Sequence, residues 1–150
     1  MEIFPNEGLD LLLGIVPKGG ATLATTYCGL FTGATASTTP LATAVLSTQT
    51  GVSEATPTSY ARQSIAAGSW GAISTQTIWG QTNARATSAA QVSFPAAGAA
   101  YATAINGFLL ANALTVGICL FYSNFDDVTA IATLSLGDIV KVTPQYGLLG

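Results

Sequence analysis

The chain has 150 residues, of which 7% are charged, four cationic and seven acidic, giving a net charge of −3 without a single histidine. An ordinary soluble domain carries roughly 25% charged residues, so this surface must be built from hydroxyls, amides and small side chains. The missing histidine removes Ser-His and Cys-His nucleophile pairs and His-bearing zinc sites, and the scattered cations Lys18, Arg62, Arg85 and Lys141 form no basic footprint for nucleic acid.

The first ten residues, MEIFPNEGLD, hold no cation, so the positive start of a secretory signal is lacking. Between Pro5 and Val16 the spacing predicts a short helix. Leu9, Leu12, Leu13 and Val16 fall at i, i+3, i+4 and i+7, with Asn6 as N-cap and Pro17 and Gly19-Gly20 as the stop. Glu7 and Asp10 read as favourable charge near the helix N-terminus. Leu11 and Ile15 make the other side apolar as well and are candidate assembly contacts.

A strand is expected over Leu23 to Gly33. Residues 34–59 follow with one charge, Glu54, and no period. A stretch of that length is either a flexible surface loop or an arm that orders on a neighbour, with Glu54 as a candidate contact. The whole chain is read as one domain, 1–150, carrying this loop or arm.

Short alternating runs then predict strands at Tyr60–Ile65, Ser69–Gly80 and Ala86–Pro95, the last with Ala90, Val92 and Phe94 inward. Arg62, a lone cation in a neutral strand, is read either as an exposed stem packed on Trp70 or as one half of a salt bridge between subunits. The alanine-rich Ala96–Ile105 has helix propensity, discounted because Pro95 and Gly98 interrupt it.

The uncharged stretch from Gly107 to Phe125 is long enough to span a bilayer. Its recurring Asn, Gly and Thr, and the alternation of Ile118, Leu120 and Tyr122 with Cys119, Phe121 and Ser123, instead favour a hairpin. That hairpin divides at Asn112–Thr115 and is buried on both faces. Cys28 and Cys119 fit no metal spacing and read as buried thiols. Asp126-Asp127 read as solvated turn carboxylates, a poor acid/base pair and at best a weak calcium corner. Near the end, Val140 and Val142 face one way and Ile139, Lys141 and Thr143 the other. The fold class that follows is mainly β, an antiparallel β sandwich, jelly-roll-like, with a short N-terminal helix.

The segments EGLDLLLGIVPK, YCGLFTG, TSYARQSIAAGSW, AQVSFPAAG, INGFLLAN, GICLFYSNF and LSLGDIVKVTPQY together resemble a family of small tailed-phage virion proteins, described as tail-fibre-like or as capsid decoration (cement) proteins. The similarity runs over nearly the whole chain and is most specific at Tyr60–Gln63 and Gly137–Pro144. It implies a virion building block without catalytic, cofactor or metal residues. The expected function is capsid decoration, stabilising a phage head, with the major capsid protein and copies of the chain itself as partners and no nucleic acid or membrane. A tail-fibre or baseplate component is the alternative within that class. Outside it stand a membrane-active phage protein, favoured by Gly107–Phe125, and a carboxylate enzyme, favoured by the Asp pair.

Overall fold

The computed structural model describes residues 2–15, 18, 22–32, 43–78, 81–96, 98–101, 104–125 and 134–148. In chain order the elements are β1 (Glu2–Ile3), α1 (Asn6–Ile15), β2 (Thr25–Thr32), β3 (Ser53–Glu54), β4 (Gln63–Ala66), β5 (Ser74–Ile78), β6 (Gln81–Ser88), β7 (Val92–Pro95), β8 (Ile105–Ala111), β9 (Cys119–Asn124), β10 (Ile139–Val142) and β11 (Gln145–Leu148). Every strand pairing among the described residues is antiparallel. The fold is mainly β with one short N-terminal helix, as the alternation and the turn residues predict.

One large sheet runs β1-β9-β8-β2-β3, and β4 shares an edge of β2 with β3: β4 pairs Thr25–Cys28, β3 pairs Phe31–Thr32. Two small sheets, β10-β7 and β11-β6-β5, are the others among the described residues. The β8–β9 hairpin lies in the middle of the large sheet and is buried on both faces, which is why its strands, INGFLLA and CLFYSN, are mostly apolar. On one face Cys28, Leu30, Phe108 and Leu110 join Phe94, Val140 and Val142 of the small β10-β7 sheet in the main core. On the other, Phe31, Leu109, Ala111 and Tyr122 are covered by Ala44, Leu46 and Val52. Among the described residues the layer opposite the large sheet consists of the two small sheets, a sandwich-like arrangement. No helix among the described residues is long and apolar enough to cross a membrane.

Several boundaries differ from expectation. Of the stretch 34–59, residues 34–42 lie outside the described residues. Residues 43–59 fold onto the molecule: Val45 and Thr50 form a bridge around a 3-10 turn at Leu46–Thr48, and β3 pairs with β2. Leu46 and Val52, scattered without period, supply the lid of the second core, so this half of the expected loop or arm is core structure. The strand expected from Tyr60 begins at Gln63, and the one expected from Ser69 begins at Ser74 after a 3-10 turn at Ala67–Ser69. The run 86–95 is broken at 89–91, leaving Ala90 exposed, while Val92 and Phe94 do turn inward. Ile139 and Lys141 point out and Val140 and Val142 in, as expected. Both cysteines are buried and free. The pair Asp126-Asp127 lies outside the described residues.

The helix forms where expected but is turned differently about its axis. Gly8 is its closest contact with β9, where a Cβ would run into the carbonyl oxygens of Leu120 and Cys119. That approach puts Leu11 and Leu12 inward, Leu11 against the main core, and leaves Leu9 and Leu13 exposed. The predicted inner stripe of Leu9 and Leu13 is therefore an outer one, because leucines occur on every side and the backbone contact at glycine decides the rotation. The helix start is held by Gly8 and Leu9, whose N–H groups donate to Pro5 O, so Asn6 lies inside the first turn and is not its cap.

Candidate functional site

The edge of β2 has a gap between β3 and β4, and the chain that crosses it, Ala55 to Arg62, fills the gap with its own groups. The N–H of Ala55 donates to Leu30 O at 2.9 Å, and the N–H of Leu30 donates to the Tyr60 hydroxyl at 2.9 Å. A phenol thus replaces a missing strand partner. The Tyr60 hydroxyl in turn donates to Glu54 Oε1 at 2.7 Å, while its ring stacks on Phe94 with centroids 6.1 Å apart. Gly29 leaves the room: a Cβ there would stand 2.7 Å from the Tyr60 hydroxyl and 3.0 Å from Glu54 Oε1.

Arg62 meets the same carboxylate in a two-pronged ion pair, Nε to Oε1 and Nη2 to Oε2, both at 2.7 Å. The side chains are only 3% and 9% exposed, so the pair is buried. Nη1 then donates to Ala113 O at 2.6 Å and to Val116 O at 2.8 Å. Both carbonyls belong to the loop joining β8 to β9. Burial alone would lower the pKa of this guanidinium, but the hydrogen bonds and charge of Glu54 more than offset it, and Arg62 stays charged. Burial, reinforced by the charge of Glu54, pushes the Tyr60 hydroxyl far above its ordinary range, so it remains a donor.

The clamped loop closes on itself as well. The N–H of Asn112 donates to Ile118 O at 3.1 Å, and Asn112 Oδ1 accepts from the N–H of Ile118 at 2.7 Å. Val116 is held at φ 56° and Gly117 at φ 80°. A left-handed conformation is unfavourable for a β-branched residue and persists only when its surroundings impose it. Leu114 and Val116, 52% and 61% exposed, are held out to solvent by this frame. Beside them runs a groove of about 570 Å³ with Leu46, Gln49, Pro57, Tyr60 and Arg62 in its walls.

A second carboxylate anchors the loop from the far side. Glu7 Oε1 accepts from the N–H of Cys119 at 2.6 Å and from the N–H of Leu46 at 3.1 Å, tying α1 to the start of β9 and to the 3-10 turn. The register of β8 and β9 shifts here: Leu110 faces Phe121 and Ala111 faces Cys119, which leaves Leu120 as the bulged residue under the helix. Burial, with the charge of Glu7 adding to it, pushes the Cys119 thiol far upward, and burial does the same to Cys28. Both thiols are therefore unreactive hydrophobes.

Of the four residues singled out in the sequence, Arg62 and Glu54 meet. Arg62 is not an exposed stem on Trp70: it is buried and paired with Glu54. Its guanidinium is spent within the chain, because a buried charge needs a carboxylate and carbonyl acceptors close by. Leu11 packs inward, and Ile15 is half-buried at the end of α1. The role of Glu7 is legible only in three dimensions, since its partners are 39 and 112 residues away. No group of three or more potential metal ligands occurs among the described residues. The charged groups here are consumed in cohesion: they fix a loop and hold its apolar side chains in place, an arrangement suited to a structural protein.

That class is carried further by comparison with known proteins. The family model described as Podophage GP4 fiber I protein gp80 matches residues 6–146. The chain belongs to this family and is a phage virion structural protein. No curated protein matches it.

Proposed function

We propose that the chain is a structural component of a phage tail fibre, associating with copies of itself and with neighbouring virion proteins. The observation that carries this reading is the fibre family match over residues 6–146. The description of that family favours the fibre over capsid decoration, which was the first expectation from sequence, and the fibre takes its place. The site is consistent with it. A loop fixed by a buried ion pair presents Leu114 and Val116 with little entropy left to lose on contact. Its surroundings are neutral, so a partner can cover hydroxyl and methyl groups without desolvating charges. Nucleic acid, membrane and catalysis have no part in this reading. Immunogold electron microscopy of purified virions with an antibody against the chain tests it: label on the fibres supports the proposal, and label spread over the head returns the chain to capsid decoration.

A further inference from the structure

The groove beside the β8–β9 loop, at about 570 Å³, falls within the roughly 300–1,000 Å³ of ligand-binding pockets. Leu46, Pro57, Leu114 and Val116 give it apolar walls, and Glu54 and Arg62 both line it. Its walls are set in advance. On one side Gln49, held at φ 56°, accepts from the N–H of Glu54 at 3.0 Å and donates to Leu46 O at 3.4 Å. On the other, the bonds from Arg62 to Ala113 O and Val116 O hold the loop. Little ordering entropy is left to lose on binding.

The ion pair spends its charge within the chain but not all of its hydrogen bonds. A guanidinium has five N–H donors and a carboxylate about four acceptor positions. Nε and Nη2 of Arg62 each give one bond to Glu54, and Nη1 gives both of its own to loop carbonyls, so one N–H on Nη2 has no partner among the described residues. Glu54 Oε1 accepts from Tyr60 and from Arg62 Nε, whereas Oε2 accepts only from Nη2 and keeps a position open. A spare donor and a spare acceptor thus stand on atoms 2.7 Å apart, and 3% and 9% of the two side chains is still exposed.

We infer that the groove receives an extended, uncharged peptide segment of a neighbouring chain in the virion. The segment's main-chain N–H and C=O groups take up the spare acceptor and donor, while an apolar side chain packs on Leu114 and Val116. The pair itself selects this chemistry. It is neutral as a whole, so a charged group entering the groove would lose its hydration and meet no free counter-charge. An anion or a cation could satisfy only one of the two positions. An extended backbone carries both donors and acceptors along each edge and satisfies both.

The inference rests on the reading that the chain meets neighbours in the virion, and its test uses the isolated full chain, so the two can fail separately. The probe is the blocked tripeptide N-acetyl-Ala-Leu-Ala-N′-methylamide, titrated into the isotopically labelled chain and followed by heteronuclear NMR. Saturable shifts are expected at the Nε–H of Arg62 and at the N–H groups of Leu114, Thr115 and Val116. The same tripeptide methylated on its residue nitrogens has lost those donors and should bind about tenfold or more weakly. Val116→Asp, at a mostly exposed position and checked for folding by circular dichroism, should weaken the parent peptide by a similar factor, because it removes apolar wall and sets an uncompensated charge beside the backbone. Equal binding of the two peptides, or equal binding to the two chains, would place the peptide elsewhere and overturn the inference. A titration without saturable shifts overturns it as well, and leaves the fibre reading to the immunogold label.

Discussion

Two carboxylates, Glu7 and Glu54, fasten separate segments of the fold, and each can be tested by replacing it. Glu7 accepts from two main-chain N–H groups that belong to different segments. Glu7→Ala leaves both donors without this acceptor and should lower unfolding free energy by about 2–4 kcal/mol, since an unsatisfied buried group costs ~1–3 kcal/mol. Glu7→Gln, which keeps an acceptor oxygen, should lose less than half of that in denaturant melts. Equal losses in the two variants would mean that the hydrogen bonds are not what Glu7 contributes. At the second carboxylate a double-mutant cycle is decisive. Arg62→Ala and Glu54→Ala should each cost ~3–5 kcal/mol because each strands a buried charge, whereas the double variant should cost well below their sum. Strict additivity would show that the pair is not energetically coupled.

At the scale of elements, the β8–β9 loop is a strained piece held by its neighbours. Replacing Val116 by Gly relieves a left-handed φ of 56° at a residue that is mostly exposed. The isolated chain should be unchanged or gain up to about 1 kcal/mol in thermal unfolding. If the loop is a contact surface, the same variant should enter virions less well; a stability loss above about 1 kcal/mol would show that Val116 packs within the chain instead. The hairpin beneath this loop was legible in the sequence because burial on both faces leaves a continuous apolar run with Asn and Gly at its bend. β10 was legible because alternation there is strict. The rotation of α1 was not, since leucines surround the helix and the deciding contact is the backbone at Gly8. The segment 43–59 was not legible either: Leu46 and Val52 reach the core from a turn and a bridge, which have no hydrophobic period. The ion pair joins residues eight apart across an irregular connection, and no helical or strand spacing announces such a contact.

For the molecule as a whole, the buried titratable groups set the pH range of stability. Cys28, Cys119 and Tyr60 have folded-state values raised above their ordinary 9.0, 9.0 and 10.0 by burial. Above those values the unfolded chain releases protons that the folded chain retains, so stability is full below about pH 8 and falls as pH rises from about 9. Unfolding midpoints measured under reducing conditions should be flat between pH 7 and 8 and drop steadily toward pH 11; a flat profile to pH 11 would mean that these groups are solvated in the fold. The central claim, that this charge-poor β protein belongs to a fibre, is tested most directly by its copy number in purified virions, measured by quantitative gel densitometry against the major capsid protein. A fibre component should be present at a few per cent of the capsid protein, because fibres are few and the capsid lattice is large. A ratio near parity would contradict the fibre assignment and make the chain a lattice-decorating protein.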